Sequence, residues 1–561
     1  MSDSSQEALD ELAQARFQER LWAKDASLWK TDAANQAVIR NALGWLTVPD
    51  AMAAGLGSTR SAISEIQKGG FERAVVLGMG GSSLACEVFR TFFPAQSGFA
   101  ALTILDSTNP DTIRAVEKSL DFKRTLFIVS SKSGSTIEPN CLLSYFYDKA
   151  AKAGGKPGER FIAITDPGTS MEKLARTLAF RKIFKNPADI GGRFSALSLF
   201  GLVPAGLMGV DLQALLQRTR DFIAREKAGM GAATALGAFM GGHARAGRDK
   251  MTLALGPEIG ALDLWIEQLV AESTGKEGKG ILPVVEPLGP VDSYGKDRTF
   301  VQINFAGKYD PASDRRLAEL ESAGHPVHRL ELKDAYDLGA HLFLWEAATA
   351  AAGFLLKLNP FDQPNVQQAK DRTKELLLDL EKGALPAQAQ DFQAGGLAAH
   401  ADEGLLKELK ASRSDHLSLK DVLGAHLGRI GPGDYCVILG YLDASPENAA
   451  ALAAIRDRIR LLTAAPVMVS IGPRYLHSTG QLYKGGQPGG VFLQLSLPAA
   501  KLPIPGERYD FSTLHSAQAR GDFTAMISAR RRILRLDPGP AVAQPLKAVL
   551  NAVKELQPCP S

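Results

Sequence analysis

The chain has 561 residues, with 64 Lys and Arg against 61 Asp and Glu and a net charge of +3. At 45% hydrophobic and 22% charged it has soluble globular composition, and its length asks for two or three domains. Basic residues are scattered, which argues against a nucleic-acid or membrane-surface face.

Cys86, Cys141, Cys436 and Cys559 lie far apart without CxxC spacing, so neither a zinc site nor a disulfide framework is expected, and a reducing compartment fits. The start, Ser2-Asp3-Ser4-Ser5-Gln6-Glu7, is polar and acidic, unlike the apolar core of a signal peptide. A cytoplasmic protein is the expectation.

Residues 1–65 read as helices, with Leu9, Leu12, Phe17, Leu21 and Trp22 near a 3.6-residue spacing. Buried parallel strands are predicted at Ala74–Leu77, Leu102–Leu105, Leu126–Val129 and Phe161–Ile164, separated by helix-length segments. That alternation argues for a doubly wound α/β sheet. The apolar stretch Phe194–Val210 is short for a membrane span and reads as a buried helix.

A second α/β unit begins near Met251–Leu255, with strands at Phe300–Phe305 and Val327–Leu332. A third series contains Tyr435–Leu439, Val467–Ile471 and Val491–Leu495, after a linker or loop rich in Ala, Gly and Gln at Ala384–Ala399. The expected division is a helical segment at 1–65, a phosphate-binding domain at 66–235, a second domain at 236–380, and a region at 381–561 that completes the second domain.

Two turns carry chemistry. Gly78-Met79-Gly80-Gly81-Ser82-Ser83 follows a strand and opens a helix, where backbone N–H groups bind anions. It also resembles a dinucleotide turn, with Asp106 ending the next strand as a ribose acceptor. The second turn, Ser131-Lys132-Ser133-Gly134-Ser135-Thr136, offers hydroxyls and amides to a phosphate, and a dinucleotide fold needs no second cradle of that kind. Its plain alternative is a capped, hydroxyl-rich turn.

The ordered set GMGGSS (78–83), SKSGST (131–136), GGRFS (191–195), EQLVAESTGK (267–276) and NPFDQPNVQQAK (359–370) resembles the phosphoglucose isomerases. It is most similar to the isomerase half of transaldolase–phosphoglucose isomerase fusions. The resemblance implies two sugar-isomerase (SIS) domains, each a three-layer αβα sandwich, assembled as a homodimer. It implies interconversion of glucose 6-phosphate and fructose 6-phosphate through ring opening and a cis-enediol, with no metal, no cofactor and no partner beyond the 6-phosphosugar.

Carried over by motif, Glu272 matches the family's base, Arg193 the arginine beside the enediolate and Lys370 the lysine near the ring oxygen. Gln268, one helical turn before Glu272, resembles the sugar-contacting glutamine. Gly80, Gly81, Ser82, Ser83, Ser131, Lys132, Ser133, Gly134, Ser135 and Thr136 fall in the substrate-binding turns. Asn365 and Gln367 depart from the common Gly and Glu.

His325, His328 and His341 lie where the family's ring-opening histidine is usual, but their surroundings read as core or surface. Tyr475-Leu476-His477-Ser478-Thr479-Gly480-Gln481 has the family's His-Ser-x-Gly-Gln context, although it follows Lys370, and His477 is the preferred candidate. A sugar-phosphate-binding regulator of the same fold, or a related sugar-phosphate isomerase, is the competing expectation.

Overall fold

The computed structural model describes residues 3–229, 231–381, 390–411, 417–538, 542 and 544–557. Five helices occupy the N-terminal segment, from Asp3–Gln14 to Leu56–Gln67. Three sheets follow.

The first sheet holds β1 (Arg73–Gly78), β2 (Ala101–Leu105), β3 (Thr125–Ser130), β4 (Phe161–Thr165) and β5 (Lys182–Lys185) in the order β2-β1-β3-β4-β5, all parallel. The second holds β6 (Lys250–Leu255), β7 (Leu282–Val284), β8 (Arg298–Phe305) and β9 (Val327–Leu332) in the order β7-β6-β8-β9, again parallel. Central strands such as Thr-Leu-Phe-Ile-Val-Ser of β3 are buried throughout, as a parallel sheet covered on both faces requires.

The described residues of 381–561 add no strand to the second sheet. They form a sheet of their own from β10 (Phe392–Ala394), β11 (Leu397–Ala401), β12 (Tyr435–Tyr441), β13 (Val467–Ile471), β14 (Gly490–Ser496) and β15 (Arg532–Pro538). Strands β12 to β15 are parallel, and the antiparallel hairpin β10–β11 joins the edge of β15. The linker expected at Ala384–Ala399 is thus partly this hairpin, turned by Gly395 and Gly396 at φ 56° and 83°. Residues 384–389 of it lie outside the described residues, as does Cys559.

The parallel strands of every sheet follow one plan, with the second strand beside the first, then the third and fourth on its other side. The order reverses between the first and third strands, where a crevice opens at their carboxyl ends. In the first sheet the turns after β1 and β3 flank that crevice.

One large apolar cluster joins the N-terminal helices, a face of the first sheet, and Leu338–Leu355. That helix belongs to Ala335–Leu355, the one stretch among the described residues long and apolar enough to cross a membrane, and it is buried inside the protein. Phe194–Val210 contains the buried helix Leu199–Leu207. The third unit has its own core but also packs Phe511, Leu514 and Ala517 against the other face of the first sheet. It thereby closes over the carboxyl ends of β1 and β3.

Candidate functional site

The glycine turn after β1 is a junction between backbones. A Cβ on Gly81 would sit 2.0 Å from the Gly192 carbonyl oxygen, and one on Gly80, at φ 56°, would sit 2.6 Å from that of His477. The glycines let the loops of Arg193 and His477 close onto the end of β1. Ser82 and Ser83 are buried there, and the Ser130 hydroxyl donates to the Ser82 carbonyl at 2.8 Å. Asp106 is committed within the protein, accepting from Arg474 at 2.8 Å and from the Ser83 hydroxyl at 3.3 Å. It is no free ribose acceptor, which removes the main support for a dinucleotide.

The turn after β3 opens onto a cavity of about 310 Å³ lined by Ser133, Ser135, Thr136, Glu138, Lys370 and His477, among others. Gly134, at φ 69°, crosses so close to Met171 that a Cβ would meet its amide at 2.7 Å. Thr136 stands at the N-cap of helix Ile137–Lys152 with no side-chain capping bond, so the start of that helix faces the cavity with its amides uncapped by the threonine. Two members of this turn lie elsewhere. Ser131 is buried with its hydroxyl unpartnered among the described residues, and the Lys132 ammonium is paired with Asp166 and the Ala188 carbonyl.

Glu272 and Gln268 lie on one face of helix Leu262–Thr274, both buried. The Gln268 amide donates to Glu272 at 3.1 Å and to the His477 carbonyl at 2.8 Å, joining this helix to the His477 loop. The Arg193 guanidinium lies 3.4 Å from the Glu272 carboxylate. It also donates to Ser273 at 2.7 Å, Gln363 at 3.0 Å, and the carbonyls of Pro360 and Asp362 at 2.6 and 2.9 Å. Burial lowers its pKa, opposed by the charges of Glu272 and Asp362. Arginine nonetheless keeps its charge, so a rigid cation stands beside the carboxylate.

Lys276, in the same motif, braces this geometry. Its ammonium donates to the Asn359 carbonyl at 2.9 Å and the Asp362 carboxylate at 2.7 Å. Burial and the neighbouring Arg193 bring its pKa down to about 8, against the pull of Asp362.

Lys370 reaches the cavity from helix Asn365–Glu381. The departure at Asn365 has a local reason. Its backbone N–H donates to Gln481 at 2.8 Å, and its side-chain oxygen accepts from Gln481 at 2.7 Å. A Cβ on Gly485 would strike that oxygen at 2.3 Å, so the space the asparagine takes is space a glycine leaves. Gln481 also donates to the Gly275 carbonyl at 2.9 Å, which ties the end of the Glu272 helix to the start of the Lys370 helix.

His477 lines the cavity from a loop of the third unit. Its Nε2 lies 2.9 Å from the Glu138 carboxylate. Burial raises the Glu138 pKa, but the charge and hydrogen bond of His477 outweigh it, and the net shift is down. An ionised carboxylate only accepts, so Nε2 carries a proton and donates it. None of the three upstream histidines reaches this cavity. His341 Nε2 faces the Glu331 carbonyl at 3.1 Å, His328 packs on Phe239, and His325 on Phe300.

The residue that motif reading missed is Glu138. A carboxylate in the first turn of a helix is favoured by the helix dipole in its own right, so nothing in the sequence around Glu138 singled it out.

The phosphoglucose isomerase family model matches residues 56–279. A probable glucose-6-phosphate isomerase of Natronomonas pharaonis is 30% identical over 350 residues, covering 54% of this chain and 79% of that protein. The glucose-6-phosphate isomerase of Campylobacter jejuni is 26% identical over 349 residues, covering 54% and 84%. Among solved structures, a glucose-6-phosphate isomerase of Chlamydia trachomatis superposes with a TM-score of 0.50 at 18% identity, covering 73% of this chain and 88% of its own. A hypothetical protein of Thermus thermophilus gives 0.56 at 24%, covering 66% and 96%.

Paired parallel sheets, a hydroxyl-rich turn at the crevice and a carboxylate clasped by a guanidinium define an α/β isomerase of phosphorylated sugars. The chain belongs to the phosphoglucose isomerase family.

Proposed function

We propose that this chain interconverts glucose 6-phosphate and fructose 6-phosphate. The carrying observation is Glu272 held 3.4 Å from Arg193 and bridged by Gln268 to the backbone of His477, beside a cavity walled by the hydroxyl turn.

In this reading Ser133, Ser135, Thr136 and the uncapped helix start hold the phosphate. His477 passes a proton to the ring oxygen as the ring opens, with Glu138 stabilising its charged form and Lys370 near the same oxygen. Glu272 then takes the C2 proton and returns it to C1. Negative charge developing on the enediolate falls beside Arg193, a cation already fixed in place, which lowers the barrier without reorganisation. Ser131, Gly134 and the turn Gly80 to Ser83 shape the walls from beneath. The same reading keeps the homodimer, the cytoplasmic location and the domain limits at 65, 235 and 380.

Purified protein given fructose 6-phosphate, with glucose 6-phosphate followed by a coupled dehydrogenase, tests it. Turnover supports the reading, and its absence with intact fold favours the sugar-phosphate-binding regulator.

A further inference from the structure

The third unit does more than deliver His477. Thr108, just beyond β2, and Gln518 and His515, on helix Phe511–Ser528, are all buried and extend the polar contacts of Glu138, with Gln518 itself at the cavity wall. Gln518 Nε2 lies 2.7 Å from the same Glu138 oxygen that faces His477. Thr108 Oγ1 lies 2.6 Å from Gln518 Oε1 and 3.1 Å from His515 Nδ1.

The direction of every bond is forced. Glu138 only accepts, so the Gln518 amide turns its NH2 toward it and its oxygen toward Thr108. Thr108 then spends its single hydrogen on that oxygen and accepts from His515, whose Nδ1 carries the proton. From the other side His477 donates through Nε2, so both donors converge on one Glu138 oxygen. Burial also holds the His515 ring neutral, with its pKa down at about 4.

We propose that Gln518, oriented by Thr108, is a positioning residue that fixes the Glu138–His477 pair and with it the basic limb of the pH–rate profile. This rests on the isomerase reading above. Two donors on one carboxylate oxygen favour its charged form, and removing one weakens that preference. The state with one shared proton then gains on the fully deprotonated state, so the pair keeps its proton to higher pH.

The other groups facing Glu138 do not supply this control. Lys370, from helix Asn365–Glu381, favours the carboxylate from the cavity side. Cys141, one turn along the Glu138 helix, is neutral with its pKa pushed by burial to about 12, and the Tyr441 phenol at the end of β12 is likewise held neutral by burial.

The test compares Gln518→Leu, Gln518→Glu, Thr108→Val and Thr108→Ser on the full chain, reading kcat, KM and the pH profile with glucose 6-phosphate. For Gln518→Leu, kcat is expected to fall about tenfold with KM changed less than about threefold, and the basic limb of the profile to move up. Gln518→Glu is expected to move that limb further, because two carboxylates must share a proton. Thr108→Val shifts in the same direction and Thr108→Ser restores the wild-type profile, a pair that decides the matter even where Gln518→Leu fails to fold. An unmoved pH profile in every variant, or a loss that Thr108→Ser shares with Thr108→Val, overturns the proposal. An inactive wild type would instead overturn the isomerase reading.

Discussion

Arg474 donates to Asp106 at 2.8 Å, and through that bond the third unit grips the end of β2 three residues before His477. The bond fixes the loop that carries the histidine from one sheet into the crevice of another. Arg474→Met leaves the buried Asp106 with Ser83 as its remaining partner among those bonds. A loss of about 1–3 kcal/mol is expected, seen as a lower melting temperature, with kcat falling as the loop loosens. A variant as stable and as active as wild type would show that the loop is held elsewhere.

Gly81 and Gly192 face each other and differ sharply in what they tolerate. A methyl on Gly81 strikes the Gly192 carbonyl at 2.0 Å, whereas one on Gly192 meets nothing within 4 Å. Gly81→Ala is therefore expected to push the Arg193 loop away from β1 and cost about 1–3 kcal/mol or more, and Gly192→Ala to fold normally. Melting temperatures of the two variants check the contrast, and equal effects would refute it.

The buried histidines lower stability on mild acidification. Burial holds His426 and His515 neutral, with pKa values of about 4 against an ordinary 6.5. Between pH 6.5 and 4 the unfolded chain therefore takes up protons that the folded chain refuses, and each histidine makes stability fall by up to about 1.4 kcal/mol per pH unit. Glu138, held ionised in the fold, works in the same direction at lower pH as it must be protonated. Glu267 and Glu346, whose pKa values burial raises, act in the opposite sense, so the histidine contribution is read by difference. His426→Gln is expected to change the slope of melting temperature against pH between 6.5 and 4 by about one proton, toward relatively greater stability in acid. An unchanged slope in that variant would contradict a buried, neutral ring at His426.

The departure at Asn365 makes its own forecast. Asn365→Gly restores the more common family residue but removes an acceptor of Gln481, and is expected to cost about 1 kcal/mol. A stabilised variant, read in the same melts, would show that the Gln481 contact carries no weight.

Central strands were legible in the sequence because a strand buried on both faces is a run of apolar residues, as in Val75-Val76-Leu77 or Phe127-Ile128-Val129. Among the edge strands β2, β9 and β13 were legible too, but β5 and β7 were not. β5 is Lys-Ile-Phe-Lys, half polar, and β7 is three residues with Pro283 at its centre, as an edge permits. β15 is central yet carries Arg532 and Arg535, whose charges are met by Asp434 and Asp537. Such pairing is invisible without the fold, and it hid β15, which joins the hairpin β10–β11 to the predicted strands of the third series.

At the candidate site, motifs brought Glu272, Gln268, Arg193, Lys370 and His477 onto the page, and the fold gathers them from the first, second and third units. Spacing did not reveal Glu138, Gln518 or Thr108. Their role depends on a helix some 380 residues away in sequence from the turn it contacts. Lys132 looked like a phosphate ligand by its place in the turn, but Asp166 at the end of β4 takes its charge.

Glu272 carries the proposed chemistry most directly. With Glu272→Gln, the coupled assay should lose about 10²–10⁴-fold in kcat while fructose 6-phosphate still protects the protein against thermal unfolding. Wild-type turnover in that variant would contradict the assignment of the base and of the chemistry built around it.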